Sequence, residues 1–75
     1  MPTYKWNQLT ASQQQAARGI RDELAGQYGI GASVSQVAKY FDQAMAWKRG
    51  DLPLDDFTRI VGGVPIDPGT NAVED

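Results

Sequence analysis

The chain has 75 residues with no cysteine and no histidine, and its formal net charge is -2. Disulfide staples, thiolate nucleophiles, the usual structural zinc sites and imidazole acid–base chemistry are thereby excluded, so a domain near the lower size limit must hold itself by apolar packing or self-association. Charge is split along the chain: Lys5, Arg18, Arg21, Lys39, Lys48 and Arg49 against Asp22, Glu23 and Asp42 give residues 1–50 a net of +3, whereas Arg59 against Asp51, Asp55, Asp56, Asp67, Glu74 and Asp75 gives residues 51–75 a net of -5.

The opening "MPTYKWNQLT" has no apolar leader segment, and no apolar run approaches the ~20 residues of a membrane span. A cytoplasmic protein with no membrane partner is expected. Within that opening, "TYKWN" alternates polar and aromatic residues and reads as a short extended arm, with Tyr4 and Trp6 lidding one end of a helical body. A first helix is expected over residues 10–28. Thr10 and Gln13 fit a capping box, and Ala16, Ala17, Ile20, Leu24 and Tyr28 fall on one face at steps of three and four. Gly19 and Gly26 each cost ~1 kcal/mol relative to Ala in a helix interior and mark candidate close helix crossings. Gly29, with Gly31 after it, ends the segment.

A second helix is expected over residues 33–49, opened by the capping pair Ser33 and Gln36. Val34, Val37, Ala38, Phe41, Ala44 and Met45 form its central stripe, with Tyr40 and Trp47 on one shoulder. That spread covers about half the helix circumference and predicts contact with two neighbours. Lys48 and Arg49 suit the negative end of the helix dipole, and Gly50 suits the residue after it. The third helix, over residues 53–62, has Asp51 as the expected cap and Pro53 in its first turn. Asp55 and Asp56 stand at its positive end, Leu54, Phe57, Ile60 and Val61 form its apolar face, and Asp55 pairs with Arg59 at i and i+4. The expected architecture is all-α: a small three-helix bundle over residues 1–63 with a short N-terminal arm, and a flexible acidic C-terminal tail over residues 64–75, where two prolines and a Pro-Gly turn signal follow Gly63.

Enzyme readings fail on inventory. Ser12, Ser33 and Ser35 have no base partner at a readable spacing, and Asp22-Glu23 and Asp55-Asp56 are adjacent pairs that do not face each other on a helix. No phosphate-binding glycine loop, dinucleotide fingerprint or calcium loop is present, so neither a cofactor nor a metal is expected. What remains is a binding protein acting as a regulator, adaptor or inhibitor, with another protein as partner and a homodimer left open. Its best surface feature is Tyr40 and Trp47 beside Gln36 and Gln43, because amphipathic aromatics on a rigid helix recur as interface anchors. Both rings are also needed by a core this small.

Two resemblances bear on the alternatives. "LAGQYGI" followed by "SVSQVAKYF" resembles the helix-turn-helix motif of DNA-binding regulators, with Ala25, Gly29, Ile30 and Val37 in its four anchor places and Gly31-Ala32 as a two-residue insertion in the turn. The resemblance implies that Ser33, Ser35, Gln36 and Lys39 face base edges, Gln36 reading adenine, while Arg18, Arg21 or Lys5 reach phosphates. Against it stand the net charge of -2 and the few cations available. Residues 52–63 resemble the double-glycine leaders of secreted or modified peptides, with Ile60, Phe57 and Leu52 at the apolar places and Asp56 at the acidic one, counted back from Gly63. That resemblance implies cleavage after Gly63 and release of residues 64–75. A helix simply stopping at a glycine accounts for the same residues.

Overall fold

The computed structural model describes residues 1–66; residues 67–75, most of the expected tail, lie outside the described residues. Helix α1 spans Ala11–Tyr28 and begins where the sequence places it. The Thr10 Oγ1 accepts the Gln13 N–H at 3.2 Å while the Gln13 Oε1 accepts the Thr10 N–H at 2.8 Å, so two otherwise orphaned donors are satisfied reciprocally. Ala17, Ile20 and Leu24 of its apolar stripe are buried, but Tyr28 at its end is 45% exposed. Gly19 and Gly26 mark no close crossing: a methyl at either would meet nothing within 4 Å.

Residues 33–49 form two helices instead of one, so four helices, not three, are present among the described residues. Helix α2 spans Val34–Lys39 and α3 spans Phe41–Arg49, with Tyr40 between them at φ -108° and ψ 44°. Neither proline nor glycine lies at the break. The arm meets the helix there: the Lys39 carbonyl, which a continuous helix would offer to the Gln43 N–H, accepts the Tyr4 N–H at 3.0 Å. The stripe survives the break, since Val37, Ala38, Phe41 and Ala44 are all buried and α1 packs against both halves. Ser33 caps α2 through its Oγ, which accepts the Gln36 N–H at 3.2 Å. The Gln36 side chain does not return the bond and is directed elsewhere.

Helix α4 spans Leu54–Val61, buries Phe57 and Val61, and packs on α3, where Phe57 meets Trp47. Its expected cap is corrected. Pro53 occupies that place without a side-chain bond, and Asp51 instead accepts from Arg49 at 3.2 Å. The expected pair is corrected too, because Arg59 reaches Asp56 at 3.5 Å and not Asp55.

A two-stranded antiparallel bridge closes the body. Gly29 takes the left-handed conformation (φ 64°) and turns the chain out of α1 into β1, Ile30–Gly31, which pairs with β2, Val64–Pro65. Ile30 stands opposite Pro65 and Gly31 opposite Val64; the Ile66 N–H donates to the Gly29 carbonyl at 2.7 Å. The boundary of the tail therefore moves: residues 64–66 belong to the folded body. The core is Leu9, Ala17, Ile20, Leu24, Val37, Ala38, Phe41, Ala44, Phe57 and Val61. No helix among the described residues is long and apolar enough to cross a membrane.

Candidate binding groove

The N-terminal arm is fastened along α2, and the space between them is a concavity. Two bonds fasten it. The Tyr4 N–H donates to Lys39, and the Tyr4 hydroxyl lies 3.0 and 3.1 Å from the two carboxylate oxygens of Asp42 at the start of α3. Beyond Tyr4 a single 3-10 turn, Trp6–Gln8, reverses the arm toward Leu9. The Gln14 amide holds that turn by donating to the Trp6 carbonyl at 3.0 Å, and the Gln8 Oε1 accepts the Lys5 N–H at 2.7 Å. Tyr4 and Trp6 are half-buried against the core, which is the lid the alternating pattern predicted.

The result is an open groove of about 580 Å³, with Tyr4, Lys5 and Trp6 on the arm side and Ser35, Gln36 and Lys39 on the α2 side. Arg18 of α1 lies over the Trp6 ring, its guanidinium carbon 5.0 Å from the ring centre. The hydrogen bond to Asp42 holds the Tyr4 phenol above the ordinary tyrosine value, helped by burial and by the carboxylate's charge.

The side chains expected to bind protein separate in space. Trp47 turns inward, stacked on Phe57 (5.2 Å between ring centres, 16° between planes) with Tyr28 edge-on at 5.7 Å. Tyr40 sits at the helix break, half-buried, with the Lys39 ammonium 5.4 Å from its ring centre. The Gln43 Oε1 is buried without a partner, whereas Gln36 lines the groove. Of the side chains expected at DNA, Ser35, Gln36 and Lys39 share the groove; Ser33 caps α2, Arg18 lies on Trp6, and Arg21 pairs with Asp22 at 2.8 Å. Gly31-Ala32, the insertion in that reading, begins in strand β1. Lys5, expected at a phosphate, lines the groove as well, whereas sequence reasoning missed Gln8 as a wall residue, because its placement depends on a contact between residues 4 and 39 that no local pattern announces.

At the other end, each member of the glycine pair has its own structural reason. Gly62 closes α4 in the left-handed conformation at φ 70°, and Gly63 is crowded: a methyl there would stand 2.7 Å from Ile30 Cγ2 and 3.0 Å from Thr58 Cγ2. Among the described residues no group of three or more acidic, His or Cys side chains is placed to hold a metal ion. No family model matches the chain, and no curated protein or solved structure is similar to it.

Proposed function

We propose that the protein is a small non-enzymatic helical binding protein, a regulator, adaptor or inhibitor, that holds a segment of another protein in the groove between its N-terminal arm and α2. The observation that carries this reading is the groove itself. Its walls are fixed by backbone and side-chain bonds across 35 or more positions of sequence, and they combine two aromatic rings with amide, hydroxyl and ammonium groups. Aromatics beside convergent polar groups in a preformed concavity are the ordinary make-up of a recognition site. Against a helix-turn-helix reading stands the arm, which faces Ser35, Gln36 and Lys39 across the groove and would have to leave before α2, only six residues long, entered a duplex.

Capture from the native host after nuclease treatment tests the reading, using wild type, Ser35→Trp to fill the groove, and Gln27→Trp at an exposed place on α1 outside it. A protein partner retained by Gln27→Trp and lost by Ser35→Trp is the expected result. Retention by both variants puts the interface elsewhere, and loss of capture on nuclease treatment transfers the function to nucleic acid.

A further inference from the structure

We infer that the occupant of the groove is an extended, carboxylate-bearing segment of the partner protein, its acids seated on Lys5 and Lys39. This rests on the groove reading above and adds the chemistry of the ligand. Four of the seven cations of the chain meet a carboxylate: Arg21 with Asp22, Lys48 with Glu23, Arg49 with Asp51 and Arg59 with Asp56, at 2.8, 2.6, 3.2 and 3.5 Å. The other three, Lys5, Arg18 and Lys39, meet none among the described residues, and all three gather at the arm. Lys5 and Lys39 stand on opposite walls of one groove, and Arg18 backs the Trp6 ring that lines it.

The nearest acid on this face does not neutralise them. Asp42 takes both of its short contacts from the Tyr4 hydroxyl and forms no ion pair with either lysine. Among the described residues, positive charge is therefore left unpaired on both walls of an open groove. Ser35 and Gln36 line the same groove, and a hydroxyl and an amide are the kind of donor and acceptor groups that suit the backbone of an extended peptide.

The same geometry disfavours nucleic acid. A single strand binds by stacking its bases on open aromatic faces, but one face of Trp6 is taken by Arg18. Three cations also provide little counterion release for a phosphate backbone.

The test is fluorescence anisotropy of a labelled twelve-residue peptide of alternating Glu and Ala, titrated with the full chain at low ionic strength. Saturable binding that weakens with salt is expected. The double variant Lys5→Glu, Lys39→Glu should weaken it about tenfold or more. Arg21→Glu, Arg49→Glu makes the same change in net charge outside the groove and should leave it within about twofold. Circular dichroism on each variant confirms that the helices persist. Absence of peptide binding, equal weakening by both double variants, or tighter binding of a twelve-nucleotide oligo-dT overturns the inference. Host capture separates the two failures: a partner lost by Ser35→Trp but kept by Lys5→Glu, Lys39→Glu leaves the groove reading standing and removes the acidic segment alone.

Discussion

Gly62 and Gly63 show how two identical residues answer different demands. The first supplies a left-handed turn that lets α4 stop, and the second vacates the space that Ile30 and Thr58 fill from two sides. Neither neighbour yields cheaply, because both are β-branched and stiff at χ1. Gly63→Ala is therefore expected to lower stability by about 1–3 kcal/mol. Gly19→Ala, in the helix interior with nothing within 4 Å, should raise it by ~1 kcal/mol. Thermal melts of the two variants check both signs, and a Gly63→Ala protein as stable as wild type would contradict the crowding. Tyr4 makes a different demand, on pH. Its phenol holds its proton more tightly in the folded chain than in the unfolded one, so its contact with Asp42 is complete below the ordinary tyrosine value of about 10 and is lost as pH rises through the elevated one. The tyrosinate absorbance titration should show a late component that Tyr4→Phe removes, accompanied by release of the arm.

At the scale of elements, the arm and the middle helix form one unit. Because the Tyr4 N–H takes the Lys39 carbonyl, the chain exchanges one rung of the helix for a bond to a segment far away in sequence. Deleting residues 1–5 should return that carbonyl to the Gln43 N–H and fuse α2 with α3. The expected signs are helical chemical shifts at Tyr40 and increased protection of the Gln43 amide from exchange; an unchanged break would mean that Tyr40 itself dictates it. The same exchange explains what the sequence revealed and what it hid. Helix starts and buried stripes are local, so the Thr10 and Ser33 caps and the row from Val37 to Ala44 were readable from spacing. Leu9, an isolated apolar residue among polar ones, gave no periodic signal for its burial. The break at Tyr40, the β1–β2 bridge and the groove all depend on partners 33 or more positions apart, and no window of periodicity spans that. Trp47 illustrates the ambiguity on a single residue: a large aromatic on a helix shoulder is compatible with an anchor or with the core, and only the Phe57 stack and the Tyr28 edge assign it inward. Trp47→Ala should cost on the order of 3 kcal/mol and unfold a domain this small, seen as lost far-UV circular dichroism.

For the whole molecule the decisive closure is made where residues following the last helix return to the exit of the first. The Ile66 N–H on Gly29, the pairing of Ile30 with Pro65, and the Ile66 side chain 3.2 Å from the place of a Gly31 methyl tie α1 to α4 through the short strands. Two chains, one ending at Ile66 and one at Gly63, isolate that closure. Hydrogen bonds contribute about 1 kcal/mol each, and partial burial of Ile66 adds a similar amount, so the shorter chain should lose on the order of 2 kcal/mol. In a domain of this size such a loss lowers the melting temperature by roughly 8–16 °C. Equal melting temperatures would show that the bridge contributes nothing. The comparison also constrains the double-glycine resemblance physically. Cutting after Gly63 removes β2 and Ile66, so a peptidase acting there must first open the bridge and would leave behind a body with α4 less firmly held. A methyl at Gly62 would stand 3.9 Å from the Gln36 amide nitrogen, and Gln36 also lines the groove. Loosening the α4 terminus is therefore expected to weaken groove binding as well as lower the melting temperature, and a titration of the acidic peptide against the chain ending at Gly63 reads that coupling directly.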